Sequence, residues 1–193
     1  MEFLYKGFCR FRDNASSDKK NHLKTLEHGQ NPHSLMVTCS DSRIAIHEFT
    51  DSRPGDVFII RNAGNMIPEN HPKHQDSIAL SLEYAVTALG VKEIVICGHV
   101  SCGAMIGLQS MDGLDNMPIV QEQLKKARSQ FSFDVSDVSL DHLIIENVSL
   151  QMKHVMTYPF VKQRLENKQL NLWGWVYDFA NVEIKHKISW TEL

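Results

Sequence analysis

No stretch of these 193 residues comes near the roughly 18 consecutive apolar residues that a membrane-spanning helix needs. The opening MEFLYKGFCRFRD sets acid and base around short apolar pieces, so no export signal is visible in it either. Charge of one sign is missing as well. Twenty Lys plus Arg stand against 23 Asp plus Glu, a net charge of −3 spread without long blocks, which leaves no footprint for nucleic acid. Cysteine is scarce: Cys9, Cys39, Cys97 and Cys102 are too few and too unevenly placed to staple a chain of this length. They suit thiols at work in a reducing cytoplasm. No Gly-rich phosphate loop follows any apolar run, and no repeat or low-complexity segment occurs, which argues against a nucleotide-binding module, a solenoid and a disordered chain. What remains is a sequence that is 42% hydrophobic and 22% charged, enough for one ordinary globular core. Its ten histidines would turn the mild negative charge positive on modest acidification.

Residues 1–29 are polar and helix-compatible, with apolar positions too sparse to bury a full face against the chain's own core. The expectation is an N-terminal helical arm lying on a partner subunit, followed by an α/β core over residues 30–193, the whole forming a single domain. Ser34 to Thr38 (SLMVT), Val57 to Ile60 (VFII) and Glu93 to Cys97 (EIVIC) are short apolar runs that end in polar clusters and read as buried strands. Between Asp76 and Leu89 the residues Ile78, Leu82, Ala85, Val86 and Leu89 form a helical stripe that Gly90 can close. Strand, helix, strand at this spacing implies a parallel sheet. Residues 110–138 read as surface around one polar helix, Ile119 to Ser129. A second stripe, Ile145, Val148, Met152, Val155 and Met156, is interrupted by Pro159 and continues through Leu165. The strands Leu170 to Tyr177 and Val182 to Lys187 flank Asp178-Phe179-Ala180-Asn181 as an antiparallel hairpin. The fold class is therefore α/β: a mainly parallel central sheet flanked by helices, with an antiparallel C-terminal hairpin.

Cys39 lies just beyond the first strand, and His99 and Cys102 just beyond the third. In parallel α/β sheets ligands gather at those carboxyl ends. Two thiolates and one imidazole suit tetrahedral zinc, with the fourth position left for water or substrate as in catalytic sites. A helix starting near Cys102 would favour its thiolate form. A cysteine that closes a strand can equally be a small buried hydrophobe, the reading kept for Cys97, while Cys9 is an arm residue. In Cys39-Ser40-Asp41-Ser42-Arg43, alternate residues would point to one side if the chain stays extended, lining up thiol, carboxylate and guanidinium. Asp41 could then bind the ion or accept a hydrogen bond from its hydroxide while Arg43 holds it through paired donors. The plain alternative is a loop ion pair of little energetic worth.

The segments CSDSR, RNAGN, SLEYAV and GHVSCGA, in this order, resemble a β-class carbonic anhydrase, with weaker likeness through ENVSLQ, YPFV and GWVYD. The resemblance implies Zn2+, one per subunit, held by Cys39, His99 and Cys102. It makes Asp41 a fourth ligand in a closed state and the partner of Arg43 in an open one. It further implies that Gln30 hydrogen-bonds a substrate oxygen, that Phe58 and Tyr84 line the pocket with Gly103, and that the pocket forms across a homodimer or a dimer-based assembly. The reaction implied is reversible hydration of CO2 to bicarbonate and a proton by metal-bound hydroxide, with activity rising toward alkaline pH. His71 and His74 could pass the proton to solvent, although solvated loop histidines are the simpler reading. Some members of the family bind bicarbonate at an inhibitory site; Arg61 and Tyr177 match it, but Met36 stands where that site has tryptophan, so the open form is expected near neutral pH.

Two competing readings use the same residues. A carbon disulfide or carbonyl sulfide hydrolase would need only different access to the same ligands. A non-catalytic zinc or thiol redox protein would require Cys39, Cys97 and Cys102 to meet at one sheet edge. Asn147-Val148-Ser149 fits a glycosylation acceptor on paper but falls within a helical stripe.

Overall fold

The computed structural model describes residues 2–72 and 76–193. Its five strands are β1 (Ser34–Cys39), β2 (Val57–Asn62), β3 (Glu93–His99), β4 (Asn171–Asp178) and β5 (Glu183–Ser189), joined in one sheet of order β2-β1-β3-β4-β5. The first three pairings are parallel and the last is antiparallel. The expected hairpin is β4–β5, with a register shift at Val176/Tyr177.

The chain divides into two units, Met1–Asn31 and Pro32–Leu193. The first carries α1 (Phe3–Asn14) and α2 (Ser17–Thr25), neither of which has a buried residue. Ser16 caps α2 by accepting the N–H of Lys19. Phe3, Leu4, Tyr5, Phe8 and Phe11 are exposed along α1.

In the second unit the central strands β1 and β3 are buried on both faces, as their unbroken apolar runs require, while the edge strand β5 is largely exposed. Leu35, Val37, Ile94 and Ile96 pack into the larger cluster with Leu143, Val148 and Met152. Met36, Val95, Cys97 and Tyr177 turn to the other face, with Ile44, Ile46 and Phe49. Burying each such aliphatic side chain is worth about 1.5–3 kcal/mol against leaving it in water. A short helix, α3 (Ile46–Phe49), follows β1.

The stripe after Asp76 forms α4 (Ser77–Glu83), and Asp76 accepts the N–H groups of Ile78 and Ala79. The helix then loosens into a π turn over Tyr84–Ala88, where the Leu89 N–H reaches back to the Tyr84 carbonyl. Next come α5 (Gly103–Ser110), α6 (Pro118–Arg128), α7 (Leu140–Met156) and α8 (Pro159–Glu166). Arg164 on α8 donates to the carbonyls of Val86 and Val91, covering the end of the π turn. Residues 110–138 differ from the expectation of plain surface: Leu114, Leu124, Ala127 and Val135 are buried in the larger cluster. Their apolar positions are too widely spaced to show as a stripe.

The long helix α7 lies on β3 and β4. Two glycines let it approach. A Cβ on Gly98 would stand 2.8 Å from Val148 Cγ2, and one on Gly174 would stand 2.5 Å from Met152 Sδ and 2.6 Å from Val148 Cγ1.

Candidate metal centre

Cys39 is the last residue of β1, His99 the last of β3, and Cys102 the N-cap of α5. Along β1, Cys39 continues the face of Leu35 and Val37, whereas His99 continues the alternation of Val95 and Cys97 on the other face. The two meet only past the strand ends, where the loops leave room. There the ligand atoms of Cys39, His99 and Cys102 lie within 4.8 Å of one another, the one such convergence of His, Cys, Asp or Glu among the described residues. All three side chains are buried. Cys97 takes no part. It faces the opposite cluster at 0% exposure, and burial pushes its thiol up to about 12. The three-cysteine arrangement that a redox protein would need is therefore not formed.

The geometry fits a small tetrahedral cation. The sulfurs are 4.0 Å apart, and two thiolates bound to zinc at about 2.3 Å with tetrahedral angles stand about 3.8 Å apart. His99 Nδ1 donates to the Val100 carbonyl at 2.9 Å, so the neutral ring keeps its lone pair on Nε2. That atom is buried without a hydrogen-bond partner, an orphaned acceptor among two sulfurs. The two sulfurs interact directly, and burial makes a negative charge on both costly. Cys39 is drawn down to about 4, chiefly because the Cys102 thiol donates to it, with further help from the N–H groups of Gly64 and Asp41 against the cost of burial. Cys102 is pushed far up by the same hydrogen bond and by burial, although the α5 amides of Ala104 and Met105 work the other way. A divalent ion removes that conflict by balancing both thiolates.

Asp41 stands beside this set. Its Oδ2 is 3.9 Å from His99 Nε2, and both carboxylate oxygens are held by Arg43, Nε to Oδ1 at 2.9 Å and Nη2 to Oδ2 at 2.6 Å. This pairing keeps the carboxyl well below the usual carboxylate range. The chain does not stay extended after Cys39. Asp41 Oδ1 also accepts the Arg43 N–H, and the Ile44 N–H bonds the Asp41 carbonyl, so a turn replaces the expected alternation. Arg43 reaches the carboxylate by folding back, donates to the Ser101 carbonyl at 3.1 Å and lies 4.5 Å over the Phe179 ring. Phe179 and Ser101 were not foreseen; they sit in a hairpin turn and a loop, where apolar patterning carries no signal.

The remaining predicted residues are placed as follows. Gly103 opens α5 and is exposed, with nothing within 4 Å of where a Cβ would stand. Phe58 on β2 and Tyr84 in the π turn form a tilted pair, centroids 6.1 Å apart. Gln30 belongs to the N-terminal unit and is exposed. Arg61 donates to the carbonyls of Cys39 and Asp41 at 3.0 and 2.7 Å, Tyr177 stacks on Phe49, and Met36 is buried. His71 is exposed, and His74 lies outside the described residues. Asn147 is 2% exposed, which rules out glycosylation of the folded chain.

The comparisons with known proteins agree with this centre. The family model described as carbonic anhydrase matches residues 34–184. A carbonic anhydrase of Pseudomonas aeruginosa is 38% identical over 190 residues, covering 95% of this chain and 86% of the relative. Among solved structures, the β-carbonic anhydrase CcaA superposes with a TM-score of 0.87 at 32% identity, covering 96% of this chain and 90% of that one. One of two tetrameric β-carbonic anhydrases from Sordaria macrospora gives a TM-score of 0.74 at 25% identity, covering 96% of each chain. With a buried Cys-His-Cys set at the strand ends and likeness along nearly its whole length, the chain belongs to the β-class carbonic anhydrases.

Proposed function

We propose that the chain hydrates carbon dioxide reversibly with Asp41 held off the ligand set by Arg43, and that Asp41 and Arg43 are its catalytic pair. The observation that carries this reading is the two-bond grip of Arg43 on a carboxylate 3.9 Å from His99 Nε2. A zinc ion held by Cys39, His99 and Cys102 supplies Lewis acidity that brings the pKa of water from about 15.7 toward about 7.

The chain's own residues do the rest. Ionised Asp41 can only accept hydrogen bonds, so it fixes the direction in which a nearby O–H points and leaves the attacking lone pair aimed away from itself. Arg43 keeps that carboxylate ionised and prevents it from swinging onto the ligand set. Phe58 and Tyr84 offer apolar surface to an uncharged gas, Gly103 leaves room beside Cys102, and Gln30 supplies an N–H for a substrate oxygen. The exposed apolar residues of α1 support a homodimer or a dimer-based assembly, and four free cysteines suit a reducing cytoplasm.

Rapid-mixing CO2 hydration of Asp41→Asn and Cys102→Ser tests the proposal. Both variants should lose most of the proton release, Asp41→Asn with zinc retained and Cys102→Ser with zinc lost. Unchanged proton release in Asp41→Asn would remove it from the mechanism. Native mass measurement reports subunit number and zinc per chain together, with one zinc per subunit expected.

A further inference from the structure

One face of α7 carries three buried polar side chains among Leu143, Ile144, Val148, Met152 and Val155: Asn147, Gln151 and His154, each no more than 3% exposed. They all turn toward the segment 63–70, which crosses from β2 toward α4. That segment has little regular backbone pairing of its own. The Asn62 side chain closes its first turn through both the N–H and the carbonyl of Met66, at 2.7 and 2.8 Å. Beyond that, the partners come from α7 and from Thr157 and Tyr158 just after it, which bond the Asn70 N–H and the Pro68 carbonyl. Gln151 Oε1 accepts the Ile67 N–H at 2.7 Å, His154 Nδ1 donates to the Ile67 carbonyl at 2.6 Å, and Asn147 Nδ2 donates to the Gly64 carbonyl at 3.1 Å.

Gly64 connects this ladder to the metal centre. Its N–H points at Cys39 Sγ, 3.4 Å away. Its backbone is left-handed, φ 76° and ψ 15°, and a Cβ would stand 3.0–3.2 Å from Met66, Ala104 and Met105. Only glycine fits. One residue is thus held at its carbonyl by Asn147 while its amide addresses a ligand sulfur.

The amide orientations follow from the ends of the chain of bonds. The Ile67 N–H can only donate, so Gln151 must turn Oε1 to it and Nε2 toward Asn147. Gln151 Nε2 then donates to Asn147 Oδ1 at 3.0 Å, and Asn147 is left with Nδ2 facing the Gly64 carbonyl. Reversing either amide would set oxygen against oxygen or N–H against N–H in a dry interior.

We propose that Asn147 and Gln151 are positioning residues for the Cys39 thiolate, acting through the Gly64 backbone, whose two flanking peptide groups are joined at one Cα held in a left-handed conformation. The proposal rests on Cys39 being a metal ligand. A buried asparagine and glutamine could serve the loop backbone alone, in which case their loss would lower stability and nothing else. If they position the sulfur, their loss also changes how that sulfur holds a metal, because the N–H donated to a ligand thiolate sets its direction and its electron donation.

The test loads the full chain with cobalt(II) and reads the sulfur-to-cobalt charge-transfer band, the rate of metal release to excess chelator and the thermal midpoint. Asn147→Leu keeps the volume and removes the donor to Gly64; Gln151→Met leaves that donor in place and removes the group that orients it, together with the acceptor of the Ile67 N–H. Thr157→Val is the control, since Thr157 accepts the Asn70 N–H and donates to the His154 carbonyl at the far end of the same ladder, with no direct hydrogen bond to Gln151, Asn147 or Gly64. Asn147→Leu should shift the band and release metal about 10-fold faster, as lost outer-shell partners typically do. Gln151→Met should move both readings the same way by less, and Thr157→Val should lower the midpoint alone. The proposal is overturned if band and release rate stay at wild-type values in both α7 variants, or if Thr157→Val moves them equally at a matched loss of stability. Should Asn147→Leu fail to fold, Gln151→Met decides by the same criteria. Wild-type chain that takes up no cobalt would instead overturn the assignment of Cys39 as a ligand.

Discussion

Arg43 holds Asp41 across a single intervening residue by two parallel N–H···O bonds, at 2.9 and 2.6 Å, while its own backbone N–H makes a third at 3.0 Å. Most of the carboxylate's acceptor capacity is thereby committed to one partner, and the planar fork fixes its tilt. Lysine donates from one point and cannot hold both oxygens. Arg43→Lys should therefore keep its zinc and lose about 10–100-fold in CO2 hydration rate, the usual effect of removing a group that orients a metal site. Stopped-flow proton release with metal analysis on the same samples checks it. Full activity in the lysine variant would show that the grip is incidental.

The strands that carry the ligands were legible because β1 and β3 are buried on both faces and read as short apolar runs, as does the half-buried β2. Cys39, His99 and Cys102 were legible through the CSDSR and GHVSCGA segments and the resemblance they carry, since a cysteine that closes a strand is by itself equally a small buried hydrophobe. The turn after Cys39 was not, since the Asp41 side chain competes for the Arg43 N–H that an extended chain would have left free. The π turn at Tyr84–Ala88 leaves no mark in the sequence: inserting one residue in a helix keeps the apolar residues Ala85 and Val86 buried and the stripe intact. Asn147 was hidden differently. In sequence it belongs to an Asn-Val-Ser triplet on an amphipathic helix, and only the path of the segment 63–70 shows which backbone groups it serves.

The close approach of α7 to the sheet sets the cost of a single methyl group. At Gly174 an added Cβ would meet Met152, Val148 and Ile188 at 2.5–2.9 Å, and these neighbours are packed from behind by the core. Gly174→Ala should destabilise by about 1–3 kcal/mol, the usual range for overpacking. A denaturant titration should show a lower midpoint at an unchanged slope. A midpoint equal to that of the wild type would mean that α7 can move away freely.

Gly103 makes the opposite case. It starts α5 with open space where a Cβ would stand, so Gly103→Ala should leave stability within about 0.5 kcal/mol of wild type or raise it slightly. The added methyl would nevertheless occupy room beside Cys102. The expected result is a raised KM for CO2 with a normal unfolding midpoint. Unchanged KM would place the substrate elsewhere.

Asp178 closes the β4–β5 turn. It is 4% exposed and accepts from the Ala180 and Asn181 N–H groups and from Asn181 Nδ2, at 3.0, 3.1 and 2.9 Å. These donors hold its carboxyl below the ordinary aspartate value, the Asn181 side chain contributing most. A depressed folded-state pKa means that the unfolded chain takes up the proton first. The stabilisation is then complete above the unfolded value of about 3.9 and drains away as pH falls toward the folded one. Acid also protonates the ligand thiolates, so absolute stability would mix the two effects, whereas the difference between wild type and Asp178→Asn isolates this group. That difference in unfolding midpoint should be constant between about pH 5 and pH 7 and shrink steadily below about pH 4. A difference that holds constant down to about pH 3 would show that the turn gains nothing from the charge, and that the three hydrogen bonds serve an amide equally well.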